Sequence, residues 1–238
     1  MRRQTGMPER PSIEVLSSTG LLNLMRLTSP SLPIGAFAYS QGLEFACDQN
    51  WVHDADSAVN WIGGLLRNMQ ARLDVPVLGR LIDAWHAGST DEVEYWSRYL
   101  LASRESMELR NEDHYLGKAL AILLADLGIN KAGEIMDTPS ITYATAFSLA
   151  AVHWRISKPD ACSGYLWAWC ENQVGAAIKL IPLGQTAGQR MISSLIDEIP
   201  FLVQQGLQLE DGDIGGTSVG LGIASANHET QYSRLFRS

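Results

Sequence analysis

An all-α fold is predicted for this 238-residue chain by three observations. Leucine-rich stripes recur at three- and four-residue spacing, no segment keeps the period-two alternation of a strand, and Pro and Gly punctuate the chain between the stripes. The stretch 167–182 organises the rest. Nothing breaks a helix there before Pro182, and proline disfavours helix in the residue preceding it. Trp167, Glu171, Val174, Ile178 and Ile181 share one face. Ala168, Asn172, Gly175, Ala176 and Lys179 share a second, nearly free of bulk, where another backbone can approach closely. An ordinary core helix explains the apolar positions but not Glu171, Asn172, Gln173 and Lys179, because buried polar groups need partners. The expected architecture is a single-domain bundle of about ten helices around this central one. A disordered tail (1–12) precedes the helical domain (13–206), and a flexible glycine-rich tail (207–238) follows it.

The elements follow in order. Residues 13–27 carry Leu16, Leu21, Leu24 and Leu27, with a local break expected at Gly20. Pro30, Pro33 and Gly35 enforce a loop, after which a helix is expected over 36–48. Asp54 or Asp56 caps the next, which runs to residue 73 with Ile62, Leu65, Leu66 and Met69 inward. Val75-Pro76 breaks it or opens another, carrying Leu78, Leu81, Ile82 and Trp85. Gly88 stops that helix and Ser89 begins the capping of 92–102. A long helix over 104–127 bears Leu109, Leu116, Leu120 and Leu124. Its first half is densely charged, with Arg104 and Glu108 at i,i+4, and reads as a solvated face. Residues 128–138 form a linker or weak helix before Pro139. Ser140 caps a helix carrying Phe147 and Leu149 that ends before Pro159, and another follows over 183–205. Residues 206–238 hold six glycines. There, 212–222 buries too little apolar surface to order itself.

Composition excludes several classes. Apolar residues at 46% and charged residues at 18% describe a globular chain. A net charge of −8 argues against nucleic-acid binding, which needs an excess of Lys and Arg on one face. No run reaches the roughly 18 apolar residues of a membrane span. The start, with charge but no apolar segment, is not that of a signal peptide. Cys47, Cys162 and Cys170 are odd in number and lack C-x-x-C spacing, so reduced thiols and a cytoplasmic location are expected.

The usual catalytic signatures are missing. There is no phosphate-binding G-x-x-x-x-G-K-[ST], and the glycines of 215–222 lack its lysine. His228-Glu229 begins like a zinc-protease motif without the second histidine. The five histidines are isolated from one another and from cysteine, so no metal cage and no cofactor are expected. Passage of a metal along carboxylates leaves no such signature.

Four stretches carry a resemblance. Leu32-Pro33-Ile34-Gly35-Ala36-Phe37-Ala38-Tyr39-Ser40-Gln41-Gly42-Leu43-Glu44 looks like the N-terminal signature of the urease accessory protein UreF family. Arg104-Glu105-Ser106-Met107-Glu108-Leu109-Arg110 resembles its charged helix start, and Lys179-Leu180-Ile181-Pro182-Leu183-Gly184-Gln185 its lysine–proline–glycine corner. Asp211-Gly212-Asp213-Ile214-Gly215, followed by His228 through Ser238, resembles the family's tail. The match spans the chain from Leu21 onward, with Ala38 where many relatives have Ser.

The resemblance implies a non-catalytic, cytoplasmic, helical scaffold that forms a homodimer. It would join UreD (also called UreH) and the GTPase UreG, coupling GTPase state to nickel insertion into apo-urease. On this basis Lys179, Tyr39 and Glu44 are candidates for the UreG side, and Tyr232, Arg234, Leu235, Phe236 and Arg237 for the UreD side. Glu171, His228 and Glu229 are candidates to line a nickel passage. Each has a plainer reading. Lys179 can satisfy the last carbonyls of its helix, Tyr39 can plug the core, and the tail can fold back on its own acidic body. Tyr232, Leu235 and Phe236 make one apolar stripe if the tail turns helical on docking. Two other classes compete: a helical enzyme using Glu171, Lys179 and His228 as acid–base groups, and an adaptor unrelated to urease.

Overall fold

The structure is a computed structural model that describes residues 17–238. The disordered tail expected over 1–12 lies outside the described residues. These hold twelve α-helices and no strand, the all-α class that the sequence predicts.

The central helix is α9 (Lys158–Leu180), longer at its start than the pattern over 167–182 suggests. Ser157 caps it by accepting the Asp160 N–H, and Pro159 sits in its first turn, where its missing donor costs nothing. Extended Ile181 before Pro182 ends it. Around α9 pack α1 (Ser18–Leu27), α2 (Leu43–Asp48), α3 (Ala55–Leu65), α4 (Val75–Ala87), α8 (Tyr143–His153), α10 (Gln185–Ile196) and α11 (Ile199–Leu207). The outer elements are α5 (Thr90–Ala102), α6 (Met107–Asp126), α7 (Asn130–Ile135) and α12 (Val219–His228). One core runs through most of them, with Phe147, Leu66, Leu73, Leu78, Leu81 and Leu120 fully enclosed.

Several boundaries differ from the sequence reading, each for a local reason. Gly20 does not break α1, which begins at Ser18 with Ser17 accepting the Gly20 N–H. The helix expected over 36–48 is divided. A 3₁₀ turn (Ala36–Ala38) is followed by extended Tyr39, and Gln41 and Gly42 take φ of 53° and 75°, which no α-helix accommodates. Thr142, not Ser140, caps α8, in a reciprocal box with Thr145. The 183–205 pattern is two helices, because Pro200 opens α11. Arg104 and Glu105 precede α6, whose cap is Ser106.

Two differences matter for the site. Between α3 and α4 the chain stays helical but widens into a π-helix over Leu66–Asp74, closed by the Val75 N–H bonded to the Gln70 carbonyl five residues back. Pro76 therefore sits inside a continuous helical run instead of breaking it. The second difference is the tail. The leash expected over 212–222 is laid against the body, and α12 packs on α2 and α6. Its glycines are used for close approach. The Gly215 N–H donates to the Arg72 carbonyl (3.0 Å), and Gly216 lies so near the Asn68 carbonyl that a β-carbon would collide with it. Gly206 of α11 meets the Ala71 carbonyl in the same way. Residues 206–216 are thus matched to the π-helix, not free of it.

Gly117 separates packing from propensity. A β-carbon there would strike the Thr142 carbonyl, where α6 crosses the start of α8. A β-carbon on Gly133 of α7 would meet only the Ala125 methyl, at an unstrained 4.0 Å. Gly117→Ala should lose about 1–3 kcal/mol or more in urea denaturation, whereas Gly133→Ala should be neutral or gain up to about 1 kcal/mol.

Candidate functional site

The charged segment 104–113 is solvated on one side only: Met107, Arg110 and Asn111 are exposed, whereas Glu112 and Asp113 are buried and Arg104 turns inward onto Asp113. Arg104 does not pair with Glu108. Its Nε donates to Asp113 (2.8 Å), and its two terminal nitrogens grip both oxygens of Asp74 at the end of the π-helix (2.7 and 3.1 Å). The other Asp113 oxygen accepts the Tyr143 N–H at the start of α8 (2.8 Å), and the Tyr165 hydroxyl of α9 donates to Asp74 (3.2 Å). The two carboxylates hold the Arg104 guanidinium charged despite its burial, and burial pushes the Tyr165 hydroxyl well above the usual phenol range.

The tail closes over the 39–44 segment beside this cluster. Glu44 of α2 accepts the Leu235 and Phe236 N–H groups, one on each oxygen (2.6 and 2.8 Å). The Arg237 N–H donates to the Ala38 carbonyl, and the Ser40 N–H and hydroxyl both donate to the Ser238 carbonyl. His228, with no exposed surface, lies between Glu44 (Nε2, 3.2 Å) and Glu108 (Nδ1, 2.7 Å). Arg234 binds the other Glu108 oxygen (2.6 Å). Glu229 accepts the Met107 and Glu108 N–H groups, placing an anion at the open start of α6.

A further chain runs inward. The Trp169 indole of α9 donates to Gln41, which donates to Glu112 of α6 (both 2.8 Å), and the Ser238 hydroxyl donates to the other Glu112 oxygen (2.6 Å). Burial pushes the Glu112 carboxyl up to about 7, against the pull of the Ser238 and Gln41 hydrogen bonds.

The candidate residues are therefore distributed unevenly. Tyr39 is buried, and its carbonyl accepts from Asn172, while Phe37 two residues earlier is exposed. Glu44 is buried under the tail. Lys179 is exposed, its ammonium over the Phe236 ring at 5.4 Å. Of the five candidates Tyr232, Arg234, Leu235, Phe236 and Arg237, only Phe236 is buried. Tyr232 and Leu235 project into solvent, because 229–238 is irregular and the helical stripe expected of the three does not form. Glu171 and Lys179 line a groove of about 300 Å³ between α9 and the proline loop, and desolvation raises the Glu171 carboxyl. His228 lies outside that groove with both nitrogens engaged, so the acid–base trio of the enzyme alternative is not assembled. Glu171 likewise stands apart from His228 and Glu229. No three His, Cys, Asp or Glu side chains converge to hold a metal among the described residues. No helix among the described residues is long and apolar enough to cross a membrane.

Sequence reasoning missed Asp74, Asp113, Tyr165, Gln41 and Glu112, whose partners are distant in the chain. The four stretches singled out by resemblance nevertheless meet at the tail, whose residues 228–238 touch 38–44, the start of α6 and Lys179. The UreF family model matches residues 52–196. The chain belongs to the UreF family. Among relatives, the protein named urease accessory protein UreF from Alkalilimnicola ehrlichii is 49% identical over 90% of this chain and 94% of its own length. That of Hahella chejuensis is 44% identical over 92% and 98%. Urease accessory protein UreF 2 of Brucella anthropi is 45% identical over 92% and 96%. These alignments reach well beyond 52–196, so this UreF-family chain and its relatives match over most of the fold.

Glu112 sets a pH dependence. Its folded-state carboxyl holds a proton more tightly than the ordinary 4.5, so stability falls as pH rises from about 4.5 towards 7. The slope contributed is at most about 1.4 kcal/mol per pH unit. Glu112→Gln, whose amide oxygen can still accept from Gln41 while its amide nitrogen donates to the Ser238 hydroxyl, should flatten the urea-denaturation profile across that window. An unchanged slope would remove Glu112 as its source.

Proposed function

We propose that this chain is a urease accessory protein, a non-catalytic scaffold that works with a UreD/UreH-type protein and the GTPase UreG to load nickel into apo-urease. The observation that carries this is the convergence of the four family-like stretches on one surface. Tyr232, Leu235 and Arg237 are exposed on the tail there, and Lys179 is exposed on α9 beside it. Exposed aromatic and arginine residues on a segment held mainly by hydrogen bonds suit a docking element that re-forms its contacts on a partner. In this reading the tail faces UreD/UreH, Lys179 faces UreG, and the scaffold acts as a homodimer in the cytoplasm. Nickel is its cargo. Tyr39 and Glu44 support the tail from beneath, and Glu171, His228 and Glu229 flank the route without holding the metal.

Deleting 228–238 is a poor test, because it strips donors from buried Glu44 and Glu112. Tyr232→Ala combined with Leu235→Ala removes surface that touches little of the body. The pair should leave the melting temperature within a degree or two, a surface change of under about 0.5 kcal/mol, while lowering capture of UreD and urease activation. Lys179→Ala should reduce recruitment of UreG with UreD capture retained. Wild-type capture of UreD by the double variant would refute the tail assignment, and wild-type recruitment of UreG would refute that of Lys179.

A further inference from the structure

Beneath the segment 36–41 lies a cavity of about 90 Å³, walled by the π-helix, the start of α6 and α9. Its polar lining is unbalanced. Gln70 of the π-helix is 6% exposed, and its side-chain oxygen has no partner. Both carboxylate oxygens of Glu105 are buried and unpaired as well. These are acceptors only, and Asp74, Glu112 and Asp113 also line the cavity against the single guanidinium of Arg104. An unpaired buried acceptor costs about 1–3 kcal/mol. Desolvation raises the Glu105 carboxyl, against the pull of its own backbone N–H and of the Arg104 charge. The rest of the wall is apolar or aromatic, including Met69, Leu109, Leu221, Tyr143 and Tyr165.

A group suited to this lining carries positive charge, offers several donors at its edge and has an apolar face. A hydrated metal ion would turn water towards leucine and methionine, and no ligand set is present to strip it. A guanidinium is weakly hydrated, forks onto carboxylate and amide oxygens, and stacks on aromatic rings. Arg104 already makes this kind of contact with Asp74 in the same cavity. The cavity borders the groove between α9 and the proline loop, the two sharing Ala36, Tyr143, Ala168 and Asn172 in their walls. That groove gives room for chain on either side of an inserted side chain. The net charge of −8 favours a basic partner.

We propose that this cavity receives an arginine side chain from a partner protein, its guanidinium on Glu105 and Gln70 and the flanking residues of the partner in the groove. The proposal does not depend on which partner supplies the arginine. Its test uses the full chain alone, so its failure is distinct from failure of the urease reading. The probe is the capped tripeptide acetyl-Ala-Arg-Ala-amide, titrated by NMR while following the Gln70 side-chain amide and the Trp169 indole. Matched lysine and citrulline tripeptides and methylguanidinium are run in parallel. The arginine peptide should shift both signals, with citrulline inert and lysine at least tenfold weaker. Glu105→Gln should weaken the arginine peptide at least tenfold with an unchanged circular dichroism spectrum. Gln70→Leu, which removes the other acceptor, should weaken it as well, and it decides the matter if Glu105→Gln fails to fold. Equal binding of the three peptides, or full binding by a folded variant, overturns the assignment. Methylguanidinium binding with the peptide excluded would make this a small-molecule site and overturn the partner.

Discussion

The Arg104 guanidinium between Asp74 and Asp113 is the interaction on which the arrangement rests. A buried guanidinium is tolerated only where carboxylates and hydrogen bonds replace its water, and removing one member of such a set costs about 3–5 kcal/mol. Here the set is spread over four elements. Asp74 ends the π-helix, Asp113 lies in α6, Tyr143 starts α8 and Tyr165 belongs to α9. Each hydrogen bond fixes the end or start of an element as well as a side chain. Hydrophobic contact alone would let α6 slide along α8, since leucine stripes tolerate small shifts. The Asp113 contact to the Tyr143 N–H does not.

The tail is held by a different balance. Its contacts are mostly hydrogen bonds to the carboxylates and carbonyls beneath it, with His228, Phe236 and Ser238 as the side chains it buries deeply. Such bonds are satisfied while the tail is on, but water can replace them when it leaves, which places the tail among the less stable parts of the fold. Glu44, Glu108 and Glu112 are different, for they lie below the tail and depend on it for donors. Release of the tail is thus coupled to hydration of three acids in α2 and α6.

The fold class and the central helix were legible because both rest on local periodicity. The caps at Asp54 and Ser89 were too, since Ser or Asp before an apolar run acts within three residues. The charged cluster was not. Arg104 and Glu108 sit at an ordinary i,i+4 spacing, and nothing local says that Ser106 opens the helix between them and turns Arg104 towards Asp74. Glycine misled in the tail for a related reason. Gly215 and Gly216 resemble a flexible linker in isolation, and only the π-helix carbonyls at 68 and 72 reveal that their small size is needed for contact. The resemblance reached the right neighbourhood, but it could not tell Tyr39, which is buried, from Phe37, which is not.

The π-helix also bears on how the chain tolerates length changes. From Ala55 to Ala87 the backbone is one helical run, and its nine π residues set the phase between the face α3 shows α9 and α10 and the face α4 shows α5 and α8. Removing one residue from an exposed loop shortens a connection. Removing one here would turn everything beyond it by about 100° around the axis, swinging Leu78, Leu81 and Ile82 off the core while the helix itself survived. The segment works as an angular coupling, and its residue count, more than its side chains, keeps the two halves of the bundle in register.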